Sequence, residues 1–371
     1  MNKLLLASTA LVASTTFAMA DVDVSGFAEM GIFGGEASDG TSIDTQFHTD
    51  IDVTFSMSGE TDAGLTFGAS VDLDESIGDN NADDGLGESA ATRDDSDDGG
   101  ATIFVSGSLG TLTMGDTDGA LDFAMTEAII GSSLGDNHEH AGYYGNNGLD
   151  GTFDDQVARY DYSFGDFAIA VSAEIDDDPD TLEIDTNGDG ILEDAADDFA
   201  QVENDTILGI GAKYNGEFAG ISFGAGIGYQ QLGMNVAVDT DGDGINDDID
   251  DMDSSVIGAS LSLNMENGIQ AILNYSSFDE SFLGGFEDAG LLDSHFGVAV
   301  GYEFGSFLVA VNYGKFDFED GGDNSGIGVI ANYDLGGGAE LQAGYGRNEI
   351  NRDDLDDQEY DTYSFGIAMA F

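Results

Sequence analysis

Two short acidic segments carry the residue types and spacing that could hold a metal ion. Asp239, Asp241, Asp243, Asp247 and Asp250 occupy positions 1, 3, 5, 9 and 12 of the segment DTDGDGINDDID, with Gly244 at position 6. Calcium takes about six to eight oxygen ligands at ~2.3–2.6 Å, and this spacing wraps carboxylates around one ion while the glycine permits a sharp turn. Asp185, Asn187, Asp189 and Glu193 repeat the pattern in DTNGDGILE, although Ala196 stands where Asp194 or Asp197 would have to complete it. No helical pattern flanks either segment. That argues against a helix–loop–helix sensor and for loops that calcium neutralises and stiffens. A solvated acidic loop that matches by chance is the alternative, since aspartate is abundant throughout.

A further concentration of carboxylates lies between Thr111 and Phe164: Asp116, Asp118, Asp122, Glu127, Asp136 and Glu139, then Asp150, Asp154 and Asp155. Alternating strands open and close this stretch, yet about forty residues between them show no strand period, a length that signals function or disorder. Leu121, Phe123, Met125, Ile130 and Leu134 give it an apolar surface that must pack on something. We read it as a connection folded into the lumen of a β-barrel, where it narrows a water-filled pore. The constriction is then expected between this loop and wall residues that include His48, Asp50, Asp52, Arg159 and Lys213. His138, Glu139 and His140 could form a metal pair, but on such a loop they read better as polar lining. The four histidines are scattered, and neither a Ser–His–Asp arrangement nor a phosphate-binding glycine loop is present, so catalysis has little support. Gly224 and Gly226 fall inside a strand, where glycine lets a neighbour approach or the strand bend.

The elements that must position these groups are legible as a period of two. From Ile43 to Met57, Ile43, Thr45, Phe47, Thr49, Ile51, Val53, Phe55 and Met57 form one face, while Asp44, Gln46, His48, Asp50 and Asp52 fall on the other. Strand side chains alternate in direction, so one side is apolar and the other ionisable. The same alternation recurs in Val22, Val24, Ala28, Met30 and Ile32, and again along the chain up to Tyr363, Phe365, Ile367, Met369 and Phe371. Sixteen strands are expected, with short turns alternating with long acidic loops. The last strand is placed to close the barrel on the first, which removes open edges. No run after residue 20 is apolar and long enough for a membrane helix, but barrel strands give a far weaker hydropathy signal.

Residues 1–20, MNKLLLASTALVASTTFAMA, have the charged start, apolar run and A-x-A end of a cleaved secretory signal, which makes 21–371 the mature barrel. There is no cysteine, hence no disulfide and no thiolate site. Seven basic residues against 75 acidic ones give a net charge of −68, which excludes nucleic acid as a partner and favours cations. Thirteen Tyr and 24 Phe set the chain apart from a disordered acidic polypeptide.

The chain resembles the Gram-negative general diffusion porins, closest to their alphaproteobacterial branch. The segment GTLTMGDTDG from Gly110 to Gly119, the segment RYDYSF from Arg159 to Phe164 and the terminal Phe371 carry the resemblance. It implies an all-β, 16-stranded antiparallel transmembrane β-barrel with an inward-folded third external loop, set in outer-membrane lipid and assembled as a homotrimer. It also implies loop carboxylates facing a basic wall cluster, of which Arg159 matches the family arginine. Lys213, Lys315, Arg347 and Arg352 are the remaining candidates, which points to cation preference rather than a strong transverse field. The terminal aromatic is similarly implied to be read by the outer-membrane assembly machinery. The Asp239 segment is separately similar to loops of thrombospondin type 3 repeats.

The expectation is therefore a cation-preferring diffusion channel with structural calcium in external loops and no enzymatic role. A substrate-specific outer-membrane channel is the nearest alternative. A secreted calcium-binding β-protein or adhesin is the alternative from another class.

Overall fold

A computed structural model describes residues 21–36, 41–74, 97–135, 148–149, 156–175, 181–184, 198–204, 206–238, 248–281, 292–319, 321–351 and 358–371. The strands in chain order begin with β1 (Asp21–Glu36), β2 (Ser42–Glu60), β3 (Thr66–Asp74), β4 (Asp97–Gly107), β5 (Gly110–Asp116), β6 (Gln156–Phe164) and β7 (Phe167–Glu174). A short helix α1 (Ala120–Ala124) follows β5. Next come β8 (Thr181–Ile184), β9 (Asp198–Asn204), β10 (Ile207–Phe218), β11 (Ile221–Val238), β12 (Asp248–Met265) and β13 (Ile269–Ser281). The chain ends with β14 (Leu292–Phe304), β15 (Phe307–Phe318), β16 (Asp323–Gly336), β17 (Ala339–Asn351) and β18 (Gln358–Ala370).

Each strand pairs antiparallel with its sequence neighbour from β1 to β7 and from β10 to β18. β7 passes directly to β10, with Ile210 opposite Val171. β18 returns to β1, from Phe27 opposite Ala370 to Gly35 opposite Thr362. The result is a closed barrel of 16 antiparallel strands, as the alternation predicts. Phe371 seals the seam: its N–H donates to Gly26 O at 2.8 Å, and its carbonyl accepts from Gly26 N at 3.3 Å. Among the described residues each of the 16 strands of the ring has a partner on both sides, the condition for a sheet in a hydrocarbon layer.

β8 and β9 are additional to the ring. They form a hairpin whose second strand lies along the upper part of β11, with Ala200 opposite Val238. Sequence reading does not separate this hairpin from the acidic loops around it.

The outer face is apolar. Val171, Ile210, Ile257, Val300 and Val329 are each about half exposed. Near the short turns, aromatic rings line one rim. Phe164 and Phe167 flank the turn at Gly165 and stack at 5.7 Å, and Phe304 and Phe307 repeat the arrangement around Gly305 at 5.5 Å. Rings of this kind are at home where hydrocarbon meets head groups. The inner face is polar: Asn274, Asn312, Gln230 and Ser276 are buried, and Asn274 lies between outward Leu273 and Tyr275.

One residue departs from the expected alternation. Ile43 is only 7% exposed, whereas Phe47 on the same nominal face is 84% exposed. Between Phe33 opposite Gln46 and Gly35 opposite Ile43, β2 advances three residues while β1 advances two. One extra residue flips the side chains beyond it to the other face.

Candidate functional site

The segment after β5 follows the inner wall of the barrel. Gly119 begins α1, and the Ala120 N–H donates to Ser172 Oγ on β7 at 2.8 Å. Farther along, the Thr126 N–H donates to Ser260 Oγ on β12 (2.9 Å), and Asn274 Nδ2 on β13 donates to the Thr126 carbonyl (3.4 Å). Ile130 N–H reaches Asn312 Oδ1 on β15 at 3.2 Å. Asn332 on β16 holds Ser132 from both sides, accepting its N–H at 3.2 Å and donating to its carbonyl at 2.8 Å. Gly135 N–H ends the track on Glu29 Oε2 of β1 at 2.9 Å. These side chains supply partners to a backbone that belongs to no sheet and would otherwise be buried unpaired.

Inward glycines let the segment lie so close. A Cβ at Gly211 would overlap the Ala120 carbonyl oxygen, and one at Gly226 would overlap the Ala124 carbonyl oxygen. Leu121 packs on Gly228, Met125 on Gly258, Ala128 on Gly297 and Leu134 on Gly31. The apolar residues of the loop thus gain a floor. Leu121, Ala128 and Leu134 are at most 1% exposed.

Two bases anchor the beginning of this track. Arg159 on β6 donates through a terminal nitrogen to the Asp118 carbonyl at 2.5 Å; that nitrogen also lies 3.6 Å from Asp118 Oδ2. Its Nε is 3.8 Å from Asp161. Lys213 on β10 donates from Nζ to the Phe123 carbonyl at 2.7 Å and stands 3.5 Å above the centroid of the Phe123 ring. Arg159 stacks on the same ring at 4.8 Å. Asp122, beside them, has its carboxyl pushed up to about 6. Burial is the main cause and the charge of Asp118 adds to it, while Arg159 and Lys213 pull the other way.

The described loop residues follow the wall from β7 round to β1. On β2 to β5, alternation points Asp52, Thr54, Asp72, Thr102 and Thr113 inward, and all five are half-exposed. Thr54 Oγ1 donates to Asp72 at 3.0 Å. Among the described residues β2 to β5 carry neither lysine nor arginine. The other described bases are engaged as well: Lys315 lies 2.7 Å from Asp317 and 3.4 Å from Asp323, and Arg347 contacts Glu359.

Comparison with known proteins decides what this arrangement belongs to. Residues 7–354 match the Gram-negative porin family. The chain belongs to that family.

The porin is 26% identical over 352 residues to a porin of Rhodobacter capsulatus, covering 90% of this chain and 97% of the relative. A porin structure refined at 1.8 Å superposes with a TM-score of 0.55 at 23% identity, covering 95% of this chain and 100% of the other. A triple mutant of the Rhodopseudomonas blastica porin gives 0.52 at 18% identity, with the same coverage. The protein is therefore an outer-membrane β-barrel that forms a channel, of a family and fold made of channels rather than enzymes.

Within this porin the expected site residues separate into groups. Asp118, Asp122, Arg159 and Lys213 come together at the root of the loop. Asp116 ends β5 and is exposed, and Glu127 is half-buried midway along the track. His48 and Asp50 sit elsewhere, on β2, at 4% and 2% exposure, beside Glu29. Asp52, two residues on, is half-buried. Asp136, His138, Glu139 and His140 lie outside the described residues, as do residues 1–20. So do Asp185, Asn187, Asp189, Glu193, Asp239, Asp241, Asp243 and Asp247 of the calcium motifs. The backbone of Asp250 is in β12, opposite Val236. Two features escape the sequence reading: Glu29 as the anchor of Gly135, and the inward glycines as a continuous track. The one signal for Glu29 is that it is an acid set between Ala28 and Met30, on the non-apolar face of a strand.

Proposed function

We propose that this porin is a cation-preferring pore for passive diffusion of ions and small hydrophilic solutes, working as a homotrimer delivered by the outer-membrane assembly machinery. One observation carries the preference: Asp52 and Asp72 are half-exposed on the inner wall of β2 and β3, while Arg159 and Lys213 are spent on holding the loop. Rings of one charge sign tune which ion enters a pore. The net charge of −68 acts in the same direction over a longer range. The test is the reversal potential of the purified protein in a planar bilayer under a KCl gradient. A potential favouring K⁺, with large ohmic steps closing in threes, supports the reading. Small saturating currents blocked by one solute would instead indicate a substrate-specific channel.

Calcium in the two aspartate-rich motifs is part of the same proposal. Ala200 and Asp248 both stand opposite Val238, so segments 185–197 and 239–247 leave neighbouring strand ends at the same rim. Cations bound by these segments would offset the repulsion among their carboxylates. Calcium titration of the folded protein should lower K⁺ selectivity and raise thermal stability, and Asp241→Asn with Asp243→Asn should abolish both effects.

A further inference from the structure

One cluster of inward side chains has the composition of a transition-metal site. Glu29 on β1 stands directly opposite Asp50 on β2, and His48 lies two residues away, opposite Gly31. Cross-strand pairing and the period of two bring all three to one inner face. One donor atom from each lies within 4.8 Å of the others. Their exposures are 3%, 4% and 2%, so the cluster is removed from bulk water.

The imidazole is aimed into the cluster. His48 Nε2 lies 3.5 Å from Glu29 Oε2, yet it has no hydrogen-bond partner. The Phe33 ring meets the imidazole edge-on, with centroids 6.1 Å apart, which restricts how the ring can turn away. Two carboxylates and an imidazole brought together on one face are donor types that a divalent transition metal takes.

We propose that Glu29, His48 and Asp50 bind a zinc-type divalent ion in the barrel wall. One imidazole nitrogen and two carboxylate oxygens leave a fourth position for water, the ligand count of an open zinc site. The nitrogen ligand selects against calcium and magnesium, which take oxygen shells. Binding requires the donors to close to about 2.0–2.2 Å from the ion, a contraction that side-chain rotation can supply. Glu29 also accepts the Gly135 N–H, and partners of this kind orient a ligand and tune its affinity. The ion would therefore offset two wall carboxylates and fasten the loop at Gly135. This site shares no residue with the aspartate-rich motifs.

The full-length folded barrel in detergent, stripped of metal, is titrated with Co²⁺ in excess calcium, which occupies all-oxygen loops. One equivalent of cobalt should give the strong visible absorption of a four-coordinate centre, and Zn²⁺ should displace it. His48→Gln and Asp50→Asn should each weaken binding by at least about a hundredfold while far-UV circular dichroism stays that of a β-barrel. Zinc-edge absorption spectroscopy of the unmodified protein should show a single imidazole ligand, a readout that holds even if a variant does not fold. Absence of visible bands, a pale six-coordinate spectrum, or bands that persist in His48→Gln would overturn the proposal.

Discussion

Lys213 holds Phe123 twice, by a 2.7 Å hydrogen bond to its carbonyl and by an ammonium 3.5 Å above its ring. A wall residue of β10 thus spends its charge on the loop. Lys213→Met keeps the aliphatic stem and removes both contacts, at a cost to loop docking of about 1.5–3 kcal/mol, the scale of a hydrogen bond to a charged group. Single-channel recordings should show more open-state noise and a larger K⁺ preference. An unchanged reversal potential would mean that Lys213 is electrostatically silent in the pore.

Gly226 sets the clearance under α1. In Gly226→Val the new side chain meets the Ala124 carbonyl and pushes the helix toward the lumen axis. The barrel ladder is untouched, so the protein should still fold, with single-channel conductance reduced. Conductance equal to that of the parent would show that the loop does not lie on this track.

Asp122 titrates near 6, above its ordinary 3.8. A carboxyl raised by burial favours the protonated form in the docked loop. Its contribution to docking is therefore full below about 4 and is lost as pH rises through about 6. Ionisation adds a negative charge at the loop root, so K⁺ preference should step upward between about pH 5 and 7. Asp122→Asn should remove that step and hold the low-pH selectivity throughout. A step that survives the substitution assigns the titration to another group.

Val300 lies midway between Phe296 and Phe304 on the outward face of β14 and is 53% exposed. Arginine there meets hydrocarbon, and the expected loss is about 2–4 kcal/mol at the bilayer midplane. Urea unfolding in lipid vesicles measures it. The same substitution at inward Thr113 should cost far less and lower K⁺ preference instead.

The strands were readable because burial on one face and lipid on the other repeat every second residue. Phe365 and Ser364 announce their sides by chemistry alone, and so do Ile257 and Ser260. The alternation fails at Ile43, where the extra residue in β2 leaves no mark in composition. The loop was legible as an anomaly: residues 117–135 have apolar side chains without a strand period. Where those side chains rest was not, because Gly211, Gly228 and Gly297 are ordinary strand glycines until Ala120, Leu121 and Ala128 are laid on them. Glu29, His48 and Asp50 come from two strands, and their meeting depends on the β1–β2 register.

What the amino-acid sequence determined by itself is the barrel, its outward face and its charge, since these follow from local periodicity and composition. The tertiary structure alone decided which groups share a site. Arg159 and Lys213 became anchors of the loop, and Glu29 became the partner of Gly135, because barrel closure brings β1 beside β18 and so completes the wall that the loop follows. Contacts across a closed ring join residues far apart in the chain, and no local pattern encodes them.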